Sequence, residues 1–409
     1  MPRQLFHLIA LAAAAFVFLA NSVGGEGESR SRSYSELPAC KMLRLPGLPS
    51  EGSVQLSGEA TAMEGVSSSS TGRIVVIGDI HGTREGLHEI LVQSNLVDVD
   101  DVDCTWSLRA ANRETILVQM GDLVDRGAEA LEAMQCLDRL YSSMKSQGAD
   151  ADGSNMIRII GNHEVWWLEG RFHMRNKAAD TKANVLAMVR MMKDQVARGE
   201  MVGAYTIAVN GVDLLFVHAG YRASYLAHLE DSGVPNARSA AQEVVRRLNE
   251  ELPRVVSRCM GEALCDFDDD PELFQAGPER GGNHLGGPLW TDFRVLEDDD
   301  RRNGAAAHSN AWIQIVGHSA TDSCDDGDDS NGYFDLAHCK ELIRATRDME
   351  AVCVDGGMVY GTRSYLEIDR ASGRWVAHEG KHSLHEDGGL AMEWGRRELN
   401  SRLCGGVSA

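Results

Sequence analysis

Short apolar runs alternate with helical patterns in the first half of this 409-residue chain. The segments Ile74–Ile77, Thr115–Met120 and Met156–Ile160 have the length of strands, and each is followed by a glycine. Between them, apolar residues recur every three or four positions over Arg84–Val97 and Glu129–Lys145, which is the period of an amphipathic helix. Such alternation favours parallel strands joined by helical crossovers, so the sequence predicts an α/β fold.

The second half predicts further helices and strands. Asn210-Gly211 separates Tyr205–Val209 from Val212–Val217, a pattern typical of a hairpin with a type I′ turn. We expect helices within residues 178–198 and 240–251, strands at 312–316 and 351–354, and a last hairpin made of 365–368 and 375–377.

The first seventy residues differ in character from the rest. Arg3, the apolar run Leu5–Ala20 and the small residues Ala20 and Ser22 are typical of a secretory signal peptide over residues 1–22, and a membrane anchor is the alternative. Residues 23–70 lack periodicity, which predicts a disordered linker before one large domain over residues 71–400. The signal peptide indicates the secretory pathway or secretion, and a plastid address in two parts is the alternative.

The chain is strongly acidic, with 61 Asp and Glu against 40 Lys and Arg and a formal net charge of -21. This charge argues against nucleic-acid binding, which needs clustered lysine and arginine. An anionic substrate must therefore be attracted by a local positive centre, such as a metal ion or a few arginines. Acidic runs at Asp266–Asp270, Glu297–Asp300 and Asp325–Asp329 predict solvated loops, and the last lacks the spacing of a calcium loop.

The nine cysteines leave at least one unpaired thiol in an oxidising compartment. Cys259 with Cys265, and Cys324 with Cys339, are candidate disulfides that are close in sequence. No CxxC pair occurs, so we do not expect a zinc site made of cysteines.

Five predicted strands end in a residue that can bind a metal and that lies beside a glycine. The segments are GDIHG (78–82), GDLVDRG (121–127), GNHE (161–164), HAG (218–220) and GHS (317–319). Parallel strands bring their carboxyl ends to one edge of a sheet, where ligands bind. Three His, two Asp and one Asn suit manganese, iron or zinc better than calcium, and six groups fit two ions that share a carboxylate.

In this order the motifs resemble the phosphoprotein phosphatases, within the calcineurin-like metallophosphoesterase superfamily. The longer segment GNHEVWWLEGRF, with PLW, VGHS and VDGGM, is similar to the Shewanella-like phosphatase branch. The resemblance spans about Arg73 to Ile368. It implies a central β-sandwich flanked by helices, with the metal site at the carboxyl ends of the strands, so the parallel sheet would be only part of the fold.

The resemblance also implies roles for individual residues. Two divalent metal ions, manganese with iron or zinc as alternatives, would have six ligands: Asp79 and His81 on the first ion, Asp122 on both, and Asn162, His218 and His318 on the second. His163 would be the general acid, oriented by Asp125, and Arg126 would bind the phosphoryl oxygens.

Some positions depart from the family pattern. The second phosphate-binding arginine of the family has no close match after PLW, and we nominate Arg294, with Arg222 as the alternative. Asp355 is expected either to line the site or to belong to a strand-end turn. At least one of Trp166 and Trp167 is expected in the core, and the other is a candidate to stack on a substrate ring.

Together, the motifs and the resemblance predict a metal-dependent phosphomonoester hydrolase. We expect a protein phosphatase acting on phosphotyrosine or phosphoserine/threonine, in which a hydroxide bridging the metals attacks phosphorus and His163 protonates the leaving group. A hydrolase of dinucleoside polyphosphates or other small phosphates is the alternative, and a non-catalytic binding module is disfavoured because no ligand is missing. The expected partner is a phosphoprotein or phosphopeptide, with no nucleic acid and no stable membrane insertion after signal cleavage.

Overall fold

The structure is a computed structural model that describes residues 72–107, 114–149, 153–222, 237–268, 271–277, 280, 282, 287–303, 312–320, 341–346, 351–384 and 390–399. The predicted signal peptide and linker, the acidic run Asp325–Asp329 and the candidate pair Cys324–Cys339 lie outside these residues. No helix within the described ranges has the length and apolar composition needed to cross a membrane.

Strands and helices alternate through the first half, as the periodicity predicts. The strands are β1 (Arg73–Ile77), β2 (Thr115–Gln119), β3 (Asn155–Ile159), β4 (Met201–Val202), β5 (Ala204–Val209), β6 (Val212–Val217), β7 (Trp312–Val316), β8 (Arg344–Ala345), β9 (Ala351–Cys353), β10 (Arg363–Asp369), β11 (Trp375–Leu384) and β12 (Leu390–Glu398). The helices are α1 (Arg84–Gln93), α2 (Ala130–Ser146), α3 (Asn162–Leu168), α4 (Lys182–Ala197), α5 (Ala237–Arg258), α6 (Pro271–Phe274) and α7 (Phe293–Asn303).

The strands form two mixed sheets. The first has the order β12-β11-β10-β1-β2-β3-β4, in which β1 to β4 are parallel and β10 to β12 are antiparallel. The second has the order β5-β6-β7-β9-β8, with β6, β7 and β9 parallel. The predicted β5–β6 hairpin is confirmed, and Asn210 and Gly211 have φ values of 51° and 80°, as a type I′ turn requires.

The two sheets share a core, which makes the domain a β-sandwich. Ile74 and Val76 of β1 belong to one buried cluster with Phe216 of the second sheet. The alternate residues Val75 and Ile77 belong to the other cluster, which contains the apolar faces of the helices. Strands covered on both faces explain the continuous apolar runs in the sequence.

The parallel strands inferred from periodicity are therefore only part of the architecture, because both sheets are mixed, and the sandwich implied by the resemblance is confirmed. The strands β10 to β12 come from the end of the chain but pair with β1, at its beginning. Local periodicity does not report such long-range pairing, because it fixes a strand's length and faces but not its neighbour.

Two disulfides cross-link described residues. The predicted pair Cys259–Cys265 is confirmed. The pair Cys104–Cys136 was not predicted, because its 32-residue separation gives no local signal. Cys353 is a free thiol buried in β9.

Candidate dinuclear metal site

The loops after the parallel strands bring the predicted site residues to one edge of the sandwich. Several of these residues have a left-handed backbone, which costs a non-glycine residue about 1–2 kcal/mol. They are His81 (φ 46°), Asp122 (φ 54°), Asp125 (φ 72°), Arg126 (φ 63°) and His318 (φ 70°). Each of these turns directs a side chain toward the shared edge.

Asp122 lies at the centre of the site. Its Oδ2 atom lies 3.6 Å from Nε2 of His81, 3.7 Å from Nε2 of His163 and 3.5 Å from Nε2 of His218. Burial raises the pKa of Asp122, but the charges of His163 and His218 outweigh burial and the net pKa is lowered. An ionised carboxylate therefore faces three imidazoles, as a bridging ligand would.

The first group of potential ligands contains Asp79 and His81. The Nδ1 atom of His81 contacts the Val124 carbonyl at 2.9 Å, which leaves Nε2 directed toward Asp122 and, at 3.9 Å, toward Asp79. Burial lowers the pKa of His81 to about 3, so its imidazole is neutral, the form that binds metals. Burial and the charges of Asp355 and Asp122 raise the pKa of Asp79, and a cation between these carboxylates would offset that repulsion.

The second group contains Asn162, His218 and His318. Nε2 of His218 lies 2.9 Å from Oδ1 of Asn162, and Nδ1 of His318 lies 3.0 Å from the same oxygen. Nδ1 of His218 lies 2.6 Å from the Met120 carbonyl, so that nitrogen carries a proton, and Nε2 would offer its lone pair to an ion. Burial lowers the pKa of His218, but the charge of Asp122 and the hydrogen bonds to Asp122 and Met120 outweigh burial, so the net pKa is raised and an ion would displace the proton on Nε2.

These acceptor atoms fit a divalent ion. Nε2 of His218 and the oxygen of Asn162 can share a proton in the absence of an ion, and both atoms can be ligands of a cation that replaces it. Ligand atoms held about 2.1 Å from one ion and at right angles lie about 3.0 Å apart, which matches the spacings in this group. His81, Asp122 and His163 form one candidate metal group and Asp122, His218 and His318 another, so Asp122 is common to both.

His163 is positioned as a proton donor. Its Nδ1 lies 2.6 Å from Oδ2 of Asp125, whose Oδ1 accepts the indole N–H of Trp167 at 2.7 Å. Burial lowers the pKa of His163, but the charge of Asp122 and the hydrogen bond to Asp125 outweigh burial, so the net pKa is raised. The shift favours the protonated ring, which can donate from Nε2.

Glu164 has a role that the sequence analysis missed. Its buried carboxylate accepts the backbone N–H groups of Gly161 and Asp122 at 2.8 Å, and those of Leu123 and Val124 at 2.7 and 3.3 Å. It thereby ties the first turn of α3 to the loop after β2. The signal was present, because a Gly-x-x-Glu pattern before an apolar run indicates a helix cap rather than a simple turn.

The arginines differ in their relation to the site. The exposed Arg126 contacts the Tyr360 hydroxyl at 3.4 Å, and its charge lowers the pKa of both His81 and His163. The nominated Arg294 is exposed in the first turn of α7. Arg280 was not nominated. Its charge contributes to the lowered pKa of His318, although burial and the charge of His218 contribute more. Its guanidinium pairs with Asp292.

Aromatic rings form one wall of the site. Trp167 is fully buried in the core, as expected of one of the two tryptophans. Trp166 is half-buried, with its ring centroid 5.3 Å from that of His163 and 4.9 Å from that of Trp290. Asp355 is buried in the turn after β9, and its charge reaches Asp79, so both expectations for this residue hold.

Comparison with known proteins places these residues in a family. The calcineurin-like phosphoesterase family matches residues 72–244. Shewanella-like protein phosphatase 2 of Arabidopsis thaliana is 33% identical over 105 residues, which are 26% of this chain and 24% of that protein. Shewanella-like protein phosphatase 1 of Plasmodium berghei (strain Anka) is 36% identical over 105 residues, 26% of each chain. The match therefore spans about a quarter of the length of these curated relatives.

Among solved structures, the cold-active protein-tyrosine phosphatase of a psychrophile Shewanella sp. aligns with a TM-score of 0.49 and 15% identity, over 78% of this chain and 80% of that chain. The family match covers the loops after β1, β2, β3 and β6, where eight of the ten predicted site residues lie. The chain contains a calcineurin-like metallophosphoesterase domain, with Shewanella-like protein phosphatases among its homologues.

Proposed function

We propose that this chain is a metal-dependent phosphomonoester hydrolase that acts on phosphoproteins. One observation carries the proposal: two groups of potential metal ligands share Asp122, and one of them contains His163, whose other ring nitrogen is held by Asp125. This arrangement places a proton donor next to a centre that can hold two cations. A phosphate monoester needs both features, because negative charge must be neutralised and a poor leaving group must be protonated.

Six residues would hold the metal ions: Asp79, His81, Asp122, Asn162, His218 and His318. When bound, two divalent ions would supply positive charge for the phosphoryl oxygens and lower the pKa of water. The mixed nitrogen and oxygen donors support manganese, with iron or zinc as alternatives. Nδ1–H of His218 and Nδ1–H of His81 are held by backbone carbonyls, which fixes both rings with Nε2 toward Asp122, where they would serve as ligands.

His163 would protonate the leaving oxygen through Nε2. Asp125 accepts the Nδ1–H of the ring, keeps the ring oriented and favours the imidazolium. General-acid catalysis of this kind contributes about 10²–10⁴ to the rate. Arg126 would bind the phosphoryl oxygens. Its guanidinium is close enough for its charge to lower the pKa of His81 and of His163, and it is exposed to incoming substrate.

The aromatic wall supports phosphotyrosine over phosphoserine and phosphothreonine. The Trp166 ring lies edge-on to His163, so a phenyl leaving group that reaches His163 would contact Trp166. Tyr360 lies beside Arg126 with 48% of its surface exposed. Such contacts between aromatic rings contribute about 0.5–1.5 kcal/mol beyond burial, which corresponds to roughly a two- to tenfold preference.

The test is a comparison of substrates with metal-reconstituted protein. Phosphate release from phosphotyrosine and phosphothreonine peptides is measured with Mn²⁺, Fe²⁺ and Zn²⁺, alongside cleavage of diadenosine tetraphosphate. We expect hydrolysis of peptides, faster for phosphotyrosine, and a loss of this preference in Trp166→Leu. Cleavage of the dinucleotide without any action on peptides would establish the small-molecule alternative instead.

A pair of histidine variants separates chemistry from metal binding. His163→Ala should lose most of its turnover while its metal content stays near two ions. The matched control His88→Ala removes a histidine of α1 that contacts the Asp101 carbonyl, and it should retain turnover. Full turnover in His163→Ala would contradict the role given to this residue.

We further propose that residues 1–22 direct the protein to the secretory pathway, or to a plastid through a two-part signal. The proposed partner is a phosphoprotein, and nucleic acid is not among the proposed partners because the chain is acidic. N-terminal sequencing of the mature protein, with fractionation of the source cells, tests the proposed location.

A further inference from the structure

A cavity of about 350 Å³ lies on the helical side of the domain, away from the strand-end edge that carries the metal ligands. Its apolar lining comes from four places: the end of α3, the segment after it, the outer face of α4, and the loop closed by the Cys259–Cys265 disulfide. The apolar lining residues include Trp167, Phe172, Val185, Leu186 and Leu264. The volume falls at the lower end of the range typical of small-molecule sites.

The charged residues around this cavity are mainly basic, in a protein whose formal net charge is -21. Arg190 pairs with Glu262 at 2.9 Å. Arg175 and Lys182 have no carboxylate within ion-pair distance in the part of the chain that the structure describes. The cavity therefore combines an apolar interior with two cations available to a ligand.

The wall opposite α4 is held in place by hydrogen bonds. The buried ammonium of Lys193 donates to the carbonyls of Cys259, Gly261 and Ala263 at 2.6, 3.2 and 2.5 Å. The N–H of Cys265 donates to the Leu168 carbonyl at 2.9 Å. The cavity is thus preformed, which lowers the entropic cost of binding a ligand.

One wall of the cavity is connected to the catalytic pair. Trp167 contacts Phe172 ring to ring at 5.2 Å and lines the cavity. Its indole N–H donates to Asp125, which in turn accepts the Nδ1–H of His163. Because Trp167 is fully buried, a ligand would pack against the half-buried Phe172, whose ring contact restrains the indole that fixes Asp125.

We propose that this cavity binds a small amphiphilic anion, with an apolar chain against Phe172 and Leu186 and a carboxylate, sulfate or phosphate group at Arg175 and Lys182. Its occupancy supports the Trp167–Asp125–His163 hydrogen bonds through the contact of Phe172 with Trp167. Binding does not depend on the proposed hydrolase activity, because none of the cavity residues that contact the ligand belongs to the metal site.

Calorimetric titration of the full chain with decanoate, below its micelle concentration, tests the binding. We expect saturable binding with one site, and no binding of decanol or decyltrimethylammonium at the same concentrations. Lys182→Glu should weaken decanoate binding about tenfold or more, because it places a negative charge at the ligand's anionic group. This variant should still fold, since an acidic residue suits the first turn of α4. The matched control Lys177→Glu makes the same charge change at an exposed residue outside the cavity lining, and it should bind like the parent.

Equal binding by Lys182→Glu, equal binding of decanol, or non-saturating uptake would overturn the proposal. A second variant, Leu186→Trp, fills the cavity and should abolish binding. If this variant instead raised the KM for phosphopeptides without changing turnover of p-nitrophenyl phosphate, and decanoate did not bind, the cavity would be a peptide-docking site and the proposal would be wrong.

Steady-state kinetics with and without decanoate test the proposed effect of the ligand on catalysis. Saturating decanoate should raise kcat on a phosphotyrosine peptide about twofold or more in the parent protein, and change kcat on p-nitrophenyl phosphate much less because that leaving group needs no proton. In Trp167→Phe, which keeps a ring but lacks the indole N–H, decanoate should still bind and the ratio of kcat with and without decanoate should fall to one. Binding without any rise in the parent's kcat would overturn this link while leaving the binding site intact.

Discussion

Replacing Asp125 by asparagine tests the proposed acid pair most directly. Oδ2 of Asp125 accepts from Nδ1 of His163 at 2.6 Å, and Oδ1 accepts from the indole of Trp167 at 2.7 Å. An amide has only one acceptor oxygen, so Asp125→Asn can serve only one of these two donors. If the oxygen stays with Trp167, the amide N–H₂ faces His163 and removes the support for its protonated form.

The expected loss of rate in Asp125→Asn follows from the contribution of general-acid catalysis. General-acid catalysis contributes about 10²–10⁴ in rate, which corresponds to about 2.7–5.4 kcal/mol in the barrier. This loss should appear with phosphotyrosine, whose leaving group has a pKa of about 10. It should be much smaller with p-nitrophenyl phosphate, because p-nitrophenolate is a far weaker base and leaves without a proton.

The pH dependence of kcat gives a second test, in which the direction of the shift is predicted. His163 must be protonated to act, so activity falls as pH rises through its raised pKa. Because the hydrogen bond that His163 donates to Asp125 contributes to that rise, Asp125→Asn should move the alkaline limb of kcat to lower pH.

The assay is steady-state kinetics on both substrates, with metal content measured on the same samples. Asp138→Asn is the matched control, because it neutralises a carboxylate that pairs with the buried Arg158 outside the site. Equal losses on the two substrates, at unchanged metal content, would refute the role of Asp125 in proton donation.

Three other substitutions give distinct outcomes. Asp122→Asn should lower both metal content and turnover, since its carboxylate is common to both groups, and retention of two ions by elemental analysis would contradict the bridging role. Glu164→Ala leaves four backbone N–H groups without their side-chain acceptor, and each buried donor left unsatisfied costs about 1–3 kcal/mol. Urea denaturation should therefore show that the free energy of unfolding falls by at least about 3 kcal/mol. Arg126→Ala should raise KM about tenfold or more and move the alkaline limb to higher pH, because the charge of Arg126 lowers the pKa of His163; an unchanged KM would show that another cation binds the phosphate.

The regular elements of the fold could be predicted from the sequence because their signals are local. Thr115–Gln119 is a buried strand and Ala130–Ser146 a helix, close to the predicted bounds. The pairing of β10 with β1 and the Cys104–Cys136 disulfide could not be predicted, because both depend on which distant segments meet. Such contacts are consequences of the whole fold and leave no periodic pattern in the chain.

The sequence predicted the side chains of the site better than the backbone contacts that hold them. The motifs identified Asp122, His163 and Asn162, because few residue types can bind metals or transfer protons. They did not report that Asn162 begins a helix whose third residue, Glu164, binds the amides of the neighbouring loop. Nor did they indicate Arg280, whose charge reaches His318 from a different segment of the chain.

Glu164 stabilises a strained loop that carries the predicted ligand Asp122. The left-handed residues His81 and Asp122 each cost about 1–2 kcal/mol, and the N–H of His81 donates to the Asp122 carbonyl at 2.8 Å, so the two loops hold each other. Glu164 accepts the amide of Asp122 and two amides after it, which fixes the loop before any ion binds. These backbone hydrogen bonds therefore help to set the positions of the ligands. It follows that removing a ligand should reduce metal affinity far more than stability, whereas removing Glu164 should reduce both together.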